Sequence, residues 1–177
     1  MSDKTRHELE VFTEFAVAHG LSVEDVRQCQ PPKPDILCAG TYYELGRIVD
    51  AEMVRVITKP GAKFRPLAVR EPSDWVTLRE KLQKRHSTHG KSSELVLYWD
   101  WDRDNPVTVN EPAFGPDQFA QMLGRGTAEL LRTEAPRFRV VHYFHRRTGQ
   151  MLASFAASND WEPVPPVLPS TGVRSLH

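Results

Sequence analysis

Two acidic residues flank a predicted tight turn in the first third of the chain. Asp35 opens one short predicted strand, 35–39, and Glu44 nearly closes the next, 41–45, with Gly40 between them. Across a tight antiparallel hairpin the two carboxylates can approach each other on one sheet face. Converging carboxylates are the ligands that a hard divalent cation such as Mg²⁺ prefers. Such a cation activates water and polarises a phosphodiester, so the pair predicts a metal-dependent hydrolytic site.

The elements that must position these carboxylates follow an α/β pattern. An amphipathic helix predicted over 4–19 precedes them, and its apolar stripe contains one inward-facing acid, Glu8. The remaining predicted elements are a short helix over 22–28, a helix over 74–86, a strand over 94–101, a helix opening at 115–117 and a hairpin over 138–145 and 151–155. Helices between strands favour parallel pairing. We therefore expect one α/β sandwich domain over 1–155, with a mixed central sheet and flanking helices, and a Pro-rich C-terminal tail over 156–177.

The stretch 34–47 resembles the PD-(D/E)XK nuclease superfamily, the fold of many restriction enzymes. In that superfamily a Pro-Asp opens a strand, and Glu-x-Lys follows on the next strand of a hairpin, after a leading helix. Pro34-Asp35 and Glu44 match this motif, and the order of elements over about residues 5–101 resembles its αβββαβ core. The resemblance implies a Mg²⁺-dependent nuclease in which Asp35 and Glu44 are catalytic metal ligands and Glu8 adds a third carboxylate.

The sequence departs from the motif at the family's lysine. Two positions after Glu44 the chain has Gly46, and Arg47 comes one step later, on the opposite face of a continuing strand. Arg47 stays protonated and cannot accept a proton, but as a candidate catalytic residue it can offset phosphate charge. Some family members supply the lysine from elsewhere; the substitutes in this chain are Lys59, Lys63 and Lys81. The alternative is that Asp35 caps the strand entry and Glu44 pairs with Arg47 or Arg65.

Basic residues that could line one side of the cleft predict contacts with nucleic-acid phosphates: Lys59, Lys63, Arg65 and Lys81. The alternative is an ordinary solvated face, which charge runs usually form. The chain has 23 Lys and Arg residues and 23 Asp and Glu residues, so its formal net charge is zero. This balance excludes a histone-like protein but not a local basic groove.

Two further patterns predict less chemistry. Asp100–Glu111 has the acidic spacing of an EF-hand calcium loop, but a strand enters it, and Pro112 and Gly115 interrupt an exiting helix, so a surface turn is the alternative. His142 and His145 lie three apart on a predicted strand and therefore on opposite faces. This spacing predicts strand packing rather than a metal pair.

The remaining composition bears on the compartment and the partners. The chain has no apolar run near the roughly 18–20 residues that span a bilayer, and its polar start resembles no signal peptide. With only Cys29 and Cys38, we expect a cytoplasmic protein with reduced thiols and no membrane contact. We expect a nucleic-acid phosphodiesterase or its catalytically degenerate descendant. The alternative is a non-catalytic protein-binding or assembly module, whose tail would contact a partner or a second copy.

Overall fold

The computed structural model of this chain describes residues 3–30, 33–48, 73–83, 93–99, 124–134 and 138–164. Three of the predicted phosphate-binding residues, Lys59, Lys63 and Arg65, lie outside these ranges. The acidic stretch 100–111 also lies outside them. Predictions about these residues remain predictions.

The described strands form one sheet whose order follows the chain. Its seven members are β1 (Arg27–Gln28), β2 (Ile36–Cys38), β3 (Thr41–Arg47), β4 (Ser93–Trp99), β5 (Val140–His145), β6 (Gln150–Ala156) and β7 (Pro163–Val164). The central strands β3, β4 and β5 are parallel, and the other neighbours are antiparallel. The predicted mixed α/β architecture is therefore confirmed. The apolar central strand β4 is buried along its whole length, as expected of a parallel strand covered on both faces.

Helices cover both faces of this sheet. The described helices are α1 (Asp3–His19), α2 (Ser73–Gln83) and α3 (Arg125–Thr133). The apolar stripe of α1 belongs to one buried cluster with side chains of β2 to β6, including Tyr43 and Phe144. Leu78 of α2 and Leu131 of α3 belong to a second cluster with Leu97 of β4. None of the helices in the described ranges is long and apolar enough to cross a membrane.

The prediction of a short helix over 22–28 is wrong. Residues after Leu21 form turns, and Arg27–Gln28 pairs with β2 as an edge strand, with Arg27 opposite Leu37. The cap-like Ser22 and Asp25 are a local signal for a helix. Pairing with a strand already in the sheet satisfies the same backbone groups, and here this tertiary interaction prevails.

The chain leaves the sheet after Ala156 but returns to it at Pro163, within a segment that is predicted to be irregular and Pro-rich. Trp161 is buried in the core beneath α3, and Pro163–Val164 adds β7 to the edge of the sheet. Pro163 lacks only a backbone N–H, which an edge strand can spare. Arg132 of α3 stabilises this segment by donating hydrogen bonds to the Asp160 carbonyl oxygen at 3.0 Å and to Glu162 Oε1 at 2.5 Å. The residues after 164 lie outside the described ranges.

Candidate functional site

A two-residue hairpin turn brings the acidic strands together. Ala39 and Gly40 both have positive φ, of 48° and 79°, which is the backbone of the tight turns that match strand twist. The resulting register pairs Ile36 with Tyr43. Continued by one residue, this register sets Asp35 opposite Glu44. This register agrees with the sequence prediction that the Asp35 and Glu44 carboxylates approach each other.

Asp35 is held in place by the backbone of the strand it faces. Its Oδ2 accepts a hydrogen bond of 2.8 Å from the Leu45 N–H. Burial, together with the negative charges of Glu44 and Glu8, raises the pKa of Asp35 to about 6, against the opposing effects of the Leu45 N–H and Lys81. Asp35, Glu44, Glu8 and Lys81 are therefore one interacting group, which we call the carboxylate–lysine cluster. Its carboxylates are not fully compensated by its single ammonium.

Helix α2 supplies the cation of this cluster. Lys81 Nζ lies 2.8 Å from Glu44 Oε1 and also donates to the Leu45 carbonyl oxygen. The side chain of Lys81 is only 14% exposed and that of Glu44 only 9%. Of the three lysines considered as substitutes, Lys81 is the one within the described residues, and it reaches the predicted acid directly.

Gly46 makes room for this approach. A Cβ at Gly46 would lie 2.7 Å from Leu97 Cδ2 and 3.3 Å from Lys81 Cε. The first distance is shorter than any normal carbon contact, so even alanine would force its neighbours to move. The position where the motif has its lysine is thus crossed by the Lys81 side chain, which arrives from another element.

The other predicted site residues take different positions. Glu8 lies on α1, is 14% exposed, and its Oε1 is 3.4 Å from Lys4 Nζ. Its effect on the pKa of Asp35 places it at the margin of the cluster. Side chains along β3 point to opposite faces of the sheet in turn. Arg47 therefore lies on the same face as Leu45, which packs against the apolar residues of α1, and Glu44 lies on the other face. Arg47 is therefore separated from Glu44 by the sheet, as the strand alternation predicts.

The donor atoms of the cluster suit a hard cation. Within the described ranges, no group of three or more His, Cys, Asp and Glu side chains is arranged to hold a metal ion. Mg²⁺ commonly uses one or two carboxylates and keeps several waters, which is what Asp35 and Glu44 offer. Lys81 already places a positive charge on two of the available oxygens. Asp35, Glu44 and the Leu45 carbonyl thus offer oxygen atoms of the types that Mg²⁺ uses as ligands.

A second buried polar group, which sequence reasoning missed, lies on the face covered by α1. His142 Nε2 lies 2.9 Å from Glu94 Oε2, and His142 Nδ1 lies 2.8 Å from Ser154 Oγ. Arg139 donates to Glu94 Oε1 at 2.8 Å and to Thr41 Oγ1 at 2.9 Å. The available signal was Glu94 itself, a lone acid at the start of an apolar strand. Since these groups satisfy one another, we interpret them as a structural link between β3, β4, β5 and β6.

The fold and the site together define a mixed α/β protein with a largely buried carboxylate–lysine cluster beside the β2–β3 hairpin. No family model, curated protein or solved structure matches this chain. Its function therefore has to be inferred from the cluster itself.

Replacing Asp35 with asparagine should change how stability depends on pH. Because the folded-state pKa is raised, to about 6 from 3.8, the wild type loses stability as pH rises through that range. The amide oxygen of the asparagine can still accept the Leu45 N–H, and the amide does not ionise. We expect Asp35→Asn to gain about 1–3 kcal/mol over the wild type at pH 8 relative to pH 3.5, in urea unfolding at both pH values. Asp25→Asn, at an exposed site, is the control. If the difference in unfolding free energy between Asp35→Asn and the wild type were the same at both pH values, the raised pKa of Asp35 would be contradicted.

Proposed function

We propose that this chain is a Mg²⁺-dependent nucleic-acid phosphodiesterase built on a restriction-endonuclease-like core. The observation that carries the proposal is the position of Lys81. Its ammonium reaches Glu44 and the Leu45 carbonyl across Gly46. A helix thus supplies the cation that the motif lacks on its own strand.

The order of the elements supports the same proposal. Helix α1 is followed by the antiparallel strands β1, β2 and β3, then by α2, and then by β4, which is parallel to β3. Among the described elements, this order agrees with the αβββαβ order that the resemblance implies. The acids lie on the β2–β3 hairpin, as they do in the motif.

Each residue of the cluster has a role that its contacts support. Asp35 and Glu44 would hold Mg²⁺, which when bound polarises the phosphodiester and activates water. Lys81 offers a positive charge to the phosphate oxygens, where negative charge develops during cleavage. The Leu45 N–H orients Asp35, and Glu8 adds negative potential at the margin. Arg47 takes no part in this mechanism because it lies on the other face of the sheet.

The Glu44–Lys81 ion pair also favours a second candidate, a non-catalytic binding or assembly module. In such a descendant the carboxylate would be neutralised by a structural salt bridge, and the 2.8 Å contact fits that role as well. The two candidates differ in whether the cluster takes up a divalent ion. Metal binding is therefore the first property to measure.

Titration calorimetry with Mg²⁺ and Mn²⁺ tests the proposal. We expect saturable binding to the wild type and none to the Asp35→Ala/Glu44→Ala double variant, because both carboxylates are the ion's ligands. The control double variant, Glu24→Ala/Asp25→Ala, removes two exposed carboxylates and should bind like the wild type. The wild type and the control double variant should cleave single- or double-stranded DNA or RNA, and the Asp35→Ala/Glu44→Ala variant should not. A folded wild type that binds neither ion would favour the binding module instead.

A further inference from the structure

The ammonium of Lys81 occupies a position built for a cation. It bridges a carboxylate oxygen of Glu44 and the backbone carbonyl oxygen of Leu45, and both side chains of the ion pair are largely buried. Carboxylate and carbonyl oxygens are the ligand types of hard divalent cations. Lys81 is therefore a stand-in for such an ion, attached to the protein by its own side chain.

The charge of the cluster leaves room for more positive charge than one ammonium brings. Asp35 feels the negative charges of Glu44 and Glu8, whereas Lys81 is the cation that contacts Glu44. Lys4 lies 3.4 Å from Glu8 but is 82% exposed, so solvent screens its contribution. A divalent ion would neutralise the cluster better than Lys81 does.

The side chain of Lys81 has a defined path. Its Cγ and Cε would lie 3.5 Å and 3.3 Å from a Cβ at Gly46, so the aliphatic part crosses the strand directly over the glycine. The last bonds of the side chain lie beyond this crossing point, and rotation about them changes the position of the ammonium.

We propose that Lys81 and a divalent cation compete for the Glu44 carboxylate and the Leu45 carbonyl, so that metal binding moves the ammonium towards the substrate phosphate. This inference rests on the metal site of the proposed function. It makes Lys81 an internal cation in the metal-free protein and a phosphate-facing cation in the metal-bound one. It also predicts that removing the ammonium strengthens metal binding.

The decisive measurement is the Mn²⁺ affinity of Lys81→Gln, by calorimetry without substrate. Glutamine keeps hydrogen-bond donors for Glu44 and Leu45 but removes the charge, and we expect Mn²⁺ to bind about tenfold tighter or more. Lys81→Arg keeps the charge and should not tighten binding. Adding Glu44→Gln to Lys81→Gln should remove the gain, which locates the ion at this cluster. Lys81→Met serves as a second neutral variant if Lys81→Gln does not fold.

The outcomes separate this inference from the proposed function. Equal or weaker Mn²⁺ binding by the neutral variants, with a binding wild type, overturns the competition and leaves the metal site standing. Binding by the neutral variants alone supports the competition and overturns the proposed metal dependence of the wild type. Binding by none of the proteins overturns both.

Discussion

Under the proposed function, Lys81→Met should slow Mg²⁺-dependent phosphodiester cleavage by about 10²–10³-fold, the usual effect of removing one group that stabilises developing charge. The ammonium lies 2.8 Å from Glu44 Oε1, so a phosphate held at the carboxylates would lie beside it. We expect the loss mainly in kcat at saturating Mg²⁺, measured in single-turnover assays. The metal affinity should rise in the same variant, so activity and binding should change in opposite directions.

Two controls separate the loss of charge from a loss of structure. Lys33→Met removes an exposed lysine of the segment before β2 and should retain full activity. Lys81→Arg keeps the charge on a bulkier, planar group and should retain part of the activity. If Lys81→Met cleaved at the wild-type rate while remaining folded, Lys81 would be a structural partner of Glu44 only.

Glu94→Ala should lower the free energy of unfolding by about 2–4 kcal/mol, because it removes hydrogen bonds to a buried carboxylate and leaves a buried His142 nitrogen without its acceptor. Glu94 is 7% exposed and accepts hydrogen bonds from His142 and Arg139. Burial alone would raise the pKa of Glu94, but these hydrogen bonds outweigh it and leave the pKa lowered. Without the carboxylate, Nε2 of the buried His142 ring loses its partner, although Nδ1 keeps Ser154, and space is left between the strands.

Urea unfolding at pH 7 measures this effect. Glu129→Ala is the matched control, because Glu129 is 63% exposed and its contact with Arg125 is a surface pair; we expect a change below about 0.5 kcal/mol. Glu94→Gln keeps the shape of the side chain and one acceptor oxygen, so its loss of unfolding free energy should lie between those of Glu94→Ala and Glu129→Ala. A loss below about 1 kcal/mol in Glu94→Ala would show that the group is not the structural link we infer.

Much of the fold followed from local patterns in the sequence. The apolar stripe of α1 recurs at helical spacing and is buried where that spacing puts it. The apolar run of β4 and the short turn between β2 and β3 are likewise local signals, and each element formed close to its predicted bounds. Because hairpin register depends on the turn, the approach of Asp35 and Glu44 was also predictable from their spacing.

Edge strands were less predictable, because their formation depends on a neighbour. Arg27–Gln28 and Pro163–Val164 are each two residues long, too short for a periodic pattern, and they exist because β2 and β6 offer unpaired backbone groups. A local helix signal at Ser22 and a Pro-rich composition after Trp161 therefore gave the wrong expectation at both ends of the sheet.

The sequence by itself determined the acids, their hairpin and the absence of a lysine two positions after Glu44. Only the tertiary structure selected Lys81, which is 37 residues from Glu44 and reaches it because α2 packs on β3. The Glu94–His142 pair, 48 residues apart, depends in the same way on the parallel pairing of β4 and β5. Local spacing decides which groups share an element, whereas contacts between elements depend on packing and register, which no short stretch of sequence encodes.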